Sequence, residues 1–355
     1  MRGGEKVLEV LCDRFPDAEI FTLVHVRGSV SRTIERLPIH TSFIQQLPFI
    51  RRHYRRYLPL FPIAIEQFNL ARFDLVVSSS HCVAKSVLTA AGTTHVCYCH
   101  TPMRYAWDQF EMYFGAARIG WLGNRAMRPV MAGFARWDRS TSGRVDRFVT
   151  NSRHVAARIR RYYNREASVV YPPVDTAFFR PNGSQPEQYA LIVSALVPYK
   201  HTELALDACR RVGLPLKIVG DGPDRQALER RPNRDVQFLG RVSDEDLREL
   251  YCRAAVVLLP GEEDFGIVPL EAQACGRPVV ALGRGGALET VVQGETGILV
   301  NEPTTDAFGA SILEAVNRRF DTNVIRRHAE RFGRDRFGDE IEATVREPWP
   351  AERAS

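Results

Sequence analysis

The sequence predicts an α/β protein with two doubly wound halves, each built around a parallel sheet. Short apolar runs typical of buried strands alternate with amphipathic helical patterns along most of the chain, as in parallel α/β folds. At 355 residues the chain is longer than one hydrophobic core usually organises. A stretch rich in proline, glycine and polar residues, residues 173–188, interrupts the alternation, and we interpret it as a linker.

The first half, residues 1–172, is expected to begin with a helix over residues 5–15, where apolar residues recur at helical spacing. We then predict strands at residues 20–26, 75–78, 95–99 and 145–150, and helices at residues 86–91 and 154–163. Only Met1 and Arg2 precede the pair Gly3 and Gly4. We therefore expect that this half lacks its first strand, or that the chain starts downstream of it.

The second half, residues 189–332, repeats the alternation of strands and helices. We predict strands at residues 191–195, 216–220, 236–239, 256–259, 278–282 and 297–300. The tail, residues 333–355, follows with apolar side chains at helical spacing, namely Phe337, Ile341 and Val345. The tail is therefore expected to be helical.

The 44 arginines and 4 lysines outnumber the 42 acidic residues, which gives a formal net charge of +6. The arginine bias is typical of a genome-wide composition, so it does not by itself indicate nucleic-acid binding, and no helix-turn-helix or aromatic-basic sheet pattern is present. The surplus charge favours anionic partners such as phosphates or acidic membrane surfaces. Seven cysteines, mostly within apolar runs, indicate buried thiols, and neither a signal peptide nor an 18-residue apolar run is present. We expect a cytoplasmic protein.

The most informative segment, "LPGEEDFGIVPLEAQACGRPVVAL", covers residues 259–282. It predicts a strand, a loop over residues 260–266, and a helix from about Ile267 that ends at Gly276. The free N–H groups of Gly266, Ile267 and Val268 would then lie at the carboxyl edge of a parallel sheet. Such N–H groups suit a phosphate or a sugar hydroxyl.

Two glutamates, Glu263 and Glu271, flank this helix start. Each carboxylate can accept hydrogen bonds from a vicinal diol, which would make the pair a clamp on the two ends of one ligand. The spacing equally allows a plainer interpretation, in which Glu271 complements the helix dipole and Glu263 is a solvated loop residue.

This segment resembles the Glu-x7-Glu region of retaining glycosyltransferases of family four, which have the GT-B fold. Upstream, "LIVSALVPYKHTELALDAC", "KIVGDGPD" and "VQFLGRVSDEDLRELY" are similar to donor-domain segments of that family in the same order. In the first half, "SSSHCVAKSV", "CYCHTPMRYAWD" and "VVYPPVDTAFF" resemble the branch that contains O-antigen and exopolysaccharide mannosyltransferases.

The resemblance implies two Rossmann-like domains that face a central cleft, with the final helix crossing back to the N-terminal domain. It implies that Glu263 contacts the donor sugar, Glu271 the nucleotide ribose, and Lys200 the diphosphate leaving group. The backbone of Phe265, Gly266, Ile267 and Val268 would hold sugar and phosphate oxygens. No metal or other cofactor is expected.

The resemblance also assigns roles in the first half. His100 matches a family histidine beside the donor sugar, although a lone histidine after a strand is more often structural. Gly3 and Gly4 match a glycine loop that approaches the donor phosphates and the acceptor. A second phosphate cation is common in the family where this chain has Ala195, and we expect His201, Arg241 or Arg284 to replace it.

Two further motifs leave alternatives open. The segment "IRRHYRRYLPLFP" mixes Arg51, Arg52, Arg55 and Arg56 with aromatic and aliphatic residues, which suits a membrane interface or a solvated basic helix face. The acidic "SDED" from Ser243 is expected to open a helix as a cap rather than to bind a metal.

The resemblance implies a retaining, metal-independent glycosyltransferase that moves a sugar from a nucleotide-diphospho-sugar to a lipid-linked oligosaccharide. GDP-mannose and peripheral membrane contact are expected from the branch resemblance. The alternative is a nucleotide-sugar binding protein without transfer activity, because the first strand and the cation at Ala195 are missing.

Overall fold

The computed structural model describes residues 3–50, 54–231 and 235–347. The chain divides into two compact units. Unit 1 comprises Met1–Pro173 and Phe337–Ser355, and unit 2 comprises Val174–Arg336. Both units are built on parallel sheets, so the predicted fold class is confirmed.

Unit 1 contains a four-stranded parallel sheet, ordered β3-β4-β5-β6, and a parallel pair, β1-β2. Its strands are β1 (Ile20–Thr22), β2 (Ile39–Thr41), β3 (Leu75–Ser80), β4 (Thr94–Cys99), β5 (Arg147–Thr150) and β6 (Ala167–Val169). Its helices before the linker are α1 (Gly3–Arg14), α2 (Arg32–Glu35), α3 (Phe61–Glu66), α4 (Arg104–Trp107), α5 (Phe110–Phe114), α6 (Ala116–Ser140) and α7 (Arg153–Tyr163).

The strand predicted at residues 20–26 is shorter than expected, and the helix predicted at residues 86–91 is wrong. Beyond Thr22, side chains take the hydrogen bonds that a neighbouring strand would otherwise make. The Ser42 hydroxyl donates to the Leu23 carbonyl at 2.9 Å, and the Gln45 side chain accepts from the His25 amide at 2.8 Å. At residue 86 a 3-10 turn, Ala84–Ser86, replaces the helix. Tertiary polar contacts of this turn override the local helical pattern.

That turn carries a buried ion pair between Lys85 and Asp138, whose side chains are 1% and 0% exposed. The Lys85 ammonium lies 3.1 Å from the carboxylate and donates to the Thr141 hydroxyl at 3.0 Å. Asp138 also accepts from the Trp107 indole and the Tyr163 hydroxyl, each at 2.8 Å. This network joins α6, α7 and the 3-10 turn without exposing either charge to water.

Unit 2 contains one six-stranded parallel sheet in the order β12-β11-β10-β7-β8-β9. Its strands are β7 (Ala190–Val193), β8 (Leu216–Val219), β9 (Val236–Gly240), β10 (Val256–Leu259), β11 (Val279–Leu282) and β12 (Gly297–Val300). Its helices are α8 (Thr202–Val212), α9 (Arg225–Glu229), α10 (Asp244–Arg253), α11 (Ile267–Ala274), α12 (Ala287–Thr290), α13 (Thr305–Asn317) and α14 (Thr322–Glu330).

The unit 2 sheet is covered by an apolar cluster on each face. One cluster contains α8 and α13, and the other contains α10 and α11. Strands β10 and β11 are buried along their whole length, which explains why their sequences are continuously apolar. All six strands are parallel, so the loops that follow them meet at one edge.

The segment interpreted as a linker is partly built into unit 2. Val174 and Phe179 are buried, and the Val174 amide donates to the Phe332 carbonyl at 2.9 Å. The last helix, α15 (Arg334–Arg346), packs within unit 1, where Phe337, Ile341 and Val345 join the core against β4 and α1. Removing α15 would therefore uncover the centre of unit 1.

We expect Lys85→Met to lower the free energy of unfolding by about 3 to 5 kcal/mol, because it leaves the Asp138 carboxylate buried without its counter-ion. Urea unfolding checks this. Arg160→Met is the matched control, since it breaks an exposed ion pair with Glu166 and should leave the unfolding midpoint unchanged. A Lys85→Met protein as stable as the wild type would contradict the analysis.

Candidate active site

The loop after β10 is fixed by close backbone contacts on two sides. A Cβ at Gly261 would lie 2.6 Å from the Tyr199 carbonyl, and a Cβ at Gly286 would lie 2.3 Å from the Phe265 Cα. The Gly286 amide donates to the Glu263 carbonyl at 2.8 Å. The loops after β7, β10 and β11 therefore interlock, and only glycine permits these approaches.

Glu263 projects from this loop and forms a short ion pair with Lys200. Lys200 ends the 3-10 turn Pro198–Lys200 after β7, and both side chains are mostly buried, at 12% and 18% exposure for Lys200 and Glu263. Because water is largely kept away from this ion pair, the attraction between its two charges is stronger than in a surface pair. Two residues that the sequence singles out separately thus lie in direct contact.

The first turn of α11 presents main-chain donors at the same edge. Gly266, with φ at 87°, is the N-cap of α11, and no side chain caps the helix. The N–H groups of Ile267 and Val268 are therefore available to an anion, while Pro269 has none to offer. Phe265 is buried beside Phe332, with ring centroids 5.9 Å apart, so the apolar residue before the cap serves packing as well.

Glu271 lies one turn into α11 and is only 4% exposed. Its carboxylate accepts a hydrogen bond from the Tyr251 hydroxyl at 3.1 Å. Burial, together with the charge of Glu271, raises the pKa of Tyr251 well above its ordinary value. Sequence reasoning missed Tyr251, since an aromatic residue on the apolar face of a helix ordinarily indicates core packing alone.

His201 and Arg284 line one cavity of about 370 Å³ at this edge of unit 2. Glu262, the neighbour of Glu263, faces the same cavity together with Glu203 and Asp207. Two of the three residues considered as replacements for the family cation at the position of Ala195 therefore line the same cavity. The third, Arg241, is exposed after β9 and does not line this cavity.

In unit 1, Gly4 lies in the first turn of α1 and a Cβ on it would sit 3.5 Å from the His100 ring. The imidazole forms a 2.8 Å hydrogen bond with the Ser79 hydroxyl at the end of β3. Burial, aided by the nearby His81, lowers the pKa of His100 to about 3. His100 is therefore neutral at physiological pH, suited to a hydrogen bond and not to donating a proton from an imidazolium.

Gly3 begins α1 and lies in a helix rather than in a glycine loop. Ser243 caps α10 by accepting from the Asp246 amide at 3.0 Å, so the capping interpretation of "SDED" is confirmed. Arg51 and Arg52, and the side chains of Arg55 and Arg56, lie outside the described residues.

Across residues 3–50, 54–231 and 235–347, no cluster of three metal-binding side chains occurs. Over the same ranges, no helix combines the length and the apolar character that crossing a bilayer requires.

The fold and the loop edge described above define the GT-B class, and comparison with known proteins agrees. The family model described as Glycosyl transferases group 1 matches residues 174–334, and that of Glycosyltransferase Family 4 matches residues 1–178. The chain belongs to Glycosyltransferase Family 4.

Curated relatives match only in part. A D-inositol 3-phosphate glycosyltransferase of Rhodococcus erythropolis is 32% identical over 229 residues, which are 55% of this chain and 52% of that protein. An uncharacterized glycosyltransferase of Methanocaldococcus jannaschii is 26% identical over 177 residues, covering 48% of this chain and 50% of that protein. The chain thus spans about half the length of these relatives.

Solved structures match along nearly the whole chain. Anabaena HepE, solved with UDP and glucose, has a TM-score of 0.71 and 17% identity, covering 98% of this chain and 96% of its own. Sucrose-phosphate synthase of Thermosynechococcus elongatus has a TM-score of 0.69 and 18% identity, covering 96% of this chain and 90% of its own. At these identities the likeness shows the fold alone.

We expect stability to fall as the pH drops below about 6.5. Burial lowers the pKa of His95, and it lowers the pKa of His100 to about 3 and the pKa of His328 to about 4. These three rings therefore stay neutral in the folded chain, whereas the same histidines bind protons in the unfolded chain below about pH 6.5. The unfolded state then holds more protons, and stability rises with pH across this window. Urea unfolding at pH 7 and pH 5 measures the effect.

His328→Gln should flatten this pH dependence, because one of the three neutral rings is removed. Equal stability of the wild type at the two pH values would show that the histidines do not contribute in this way.

Proposed function

We propose that the chain is a retaining glycosyltransferase that transfers a sugar from a nucleotide-diphospho-sugar, with GDP-mannose as the first donor to test. The supporting observation is the meeting of Lys200, Glu263 and the uncapped start of α11 at one loop edge. A cation, a carboxylate and free N–H groups there are what binding an anionic, hydroxyl-rich ligand requires.

In this proposal the diphosphate binds at the first turn of α11 and competes with Glu263 for Lys200. The ammonium then neutralises charge that grows on the leaving diphosphate, which favours the transition state over the ground state. Glu263, released from the ion pair, accepts hydrogen bonds from sugar hydroxyls. Glu271 binds the ribose, and His201 or Arg284 supplies the second positive charge. No metal takes part, and transfer in the presence of a chelator tests that point.

We propose a lipid-linked oligosaccharide as acceptor, at the cytoplasmic face of a membrane. The branch resemblance and the basic segment around Arg55 support this choice. Neutral His100, with Gly4 beside it, is the proposed contact to the donor sugar from unit 1, and Gly3 completes that turn. The rival proposal, a nucleotide-sugar binding protein, would keep the same ligand contacts without turnover.

Glu263→Ala should lower turnover about a hundredfold or more, because Glu263 is proposed to contact the sugar. Nucleotide binding should not weaken in this variant, because the loss of Glu263 leaves Lys200 free for the diphosphate. Glu271→Ala should instead weaken nucleotide binding. Donor-turnover assays and calorimetric titration with the nucleoside diphosphate separate the two effects. Glu302→Gln, at an exposed carboxylate after β12, is the control. Wild-type turnover in both variants would refute the assignment.

Donor identity is tested by thermal stabilisation with GDP, UDP, GDP-mannose and UDP-glucose. A ligand that binds only the folded state at a hundred times its Kd stabilises by about 2.7 kcal/mol, enough for a clear rise in Tm. We expect GDP-mannose to give the larger rise. UDP-glucose is the specific competitor, because HepE was solved with it. Stabilisation without any sugar transfer would favour the rival binding protein, and no stabilisation by any of the four would refute both.

A further inference from the structure

Unit 1 carries most of the large apolar side chains that the described residues expose. Nine of the thirteen fall on two segments, residues 43–63 and 113–130. They are Phe43, Phe49, Tyr54, Ile63, Tyr113, Ile119, Trp121, Leu122 and Val130. Scattered exposed apolar residues are normal on a protein surface, but a concentration of this kind indicates an interaction surface.

The two segments belong to one packed body. Ile44, Ile50 and Phe61 from the first segment share an apolar cluster with Phe114 and Met127 from the second. The exposed residues of both segments therefore surround a common core. We call this the apolar surface of unit 1.

Helix α6 contributes its most exposed part. Trp121 and Leu122 are 67% and 71% exposed, just after Gly120, where φ is 75° and the helix is broken. The side of α6 that carries Met127, Met131 and Phe134 faces the core, so the outward side presents an indole and a leucine to solvent. The exposed indole and leucine serve no packing role in the described chain. Leaving them exposed also forgoes the stabilising free energy that their burial would give.

The sequence around these residues carries mainly positive charge, and the carboxylate of Glu111, which contacts α6, is paired with Arg128. No Asp or Glu occurs in the sequence between Glu111 and Asp138, whereas Arg118, Arg125, Arg128 and Arg136 lie there. Arg125 and Arg136 are exposed and form no ion pair with the part of the chain that the structure describes. An apolar tip flanked by free guanidinium groups complements an anionic interface that has apolar material beneath it.

We propose that the apolar surface of unit 1 binds the surface of an anionic phospholipid bilayer, with Trp121 and Leu122 inserted among the acyl chains and Arg125 and Arg136 on the headgroups. A phospholipid bilayer fits this surface better than RNA does. A surface that binds RNA stacks the bases on aromatic side chains and would not require exposed leucine and isoleucine. Membrane binding itself does not depend on the proposed function. Only its role, to bring the enzyme to a lipid-linked acceptor, rests on that function.

The test is sedimentation of the full chain with vesicles of phosphatidylcholine, with and without phosphatidylglycerol. We expect binding to the phosphatidylglycerol vesicles that weakens with added salt. The double variant Trp121→Glu/Leu122→Glu should bind at least about tenfold more weakly, since it removes both inserted groups and adds repulsion. Arg125→Glu should also weaken binding and reduce its salt dependence.

The control is the double variant Leu288→Glu/Leu313→Glu, which places the same charges on exposed leucines of unit 2 and should bind vesicles like the wild type. Unchanged vesicle binding by the Trp121→Glu/Leu122→Glu variant would overturn the proposal, as would wild-type binding to RNA but not to vesicles. Thermal stabilisation by the donor is measured in parallel. Lost vesicle binding with intact donor stabilisation supports the membrane surface, and failure of the donor assay alone counts only against the proposed function.

Discussion

The candidate site depends on one constraint, the interlocking of three loops at the carboxyl edge of the unit 2 sheet. Main-chain atoms of the loop after β10 touch the turn that ends at Lys200 on one side and the Gly285-Gly286 turn on the other. Side chains are excluded at these contacts, so the backbone itself sets where Glu263 and the start of α11 lie. A site built in this way needs little rearrangement of its framework when a ligand binds.

Both glutamates of the site are satisfied before any ligand arrives. Glu263 is paired with Lys200, and Glu271 accepts from Tyr251. Burying a carboxylate without a hydrogen-bond or ionic partner destabilises a folded protein. Without ligand, an ammonium group offsets this cost at Glu263 and a phenolic hydroxyl offsets it at Glu271. In the proposed function the Lys200 pair exchanges for a diphosphate, whereas the Tyr251 contact lies deep in the unit and orients Glu271. The proposal thus requires an exchangeable partner for Glu263 and a fixed one for Glu271.

Local patterns predicted most of the fold and where the candidate site residues lie in it. The apolar runs of β10 and β11 indicate buried parallel strands because both faces of that sheet are covered, and the pattern around Gly266 correctly predicted where α11 begins. Long-range polar contacts escaped prediction. Lys85 removes a helix by reaching Asp138, 53 positions away in the chain, and Tyr251 acts through a hydroxyl that no periodicity reveals. The placement of His201 and Arg284 in one cavity likewise depends on tertiary structure, which local patterns do not reveal.

The packing of α15 has a consequence for synthesis on the ribosome. Unit 2 is continuous in the chain and is fully made once residue 336 has emerged, whereas unit 1, begun first, still lacks Phe337, Ile341 and Val345. The later-started half is therefore able to mature ahead of the earlier one, the reverse of the usual N-terminal-first order. Until α15 has been synthesised, the nascent first unit exposes the apolar side chains that this helix covers.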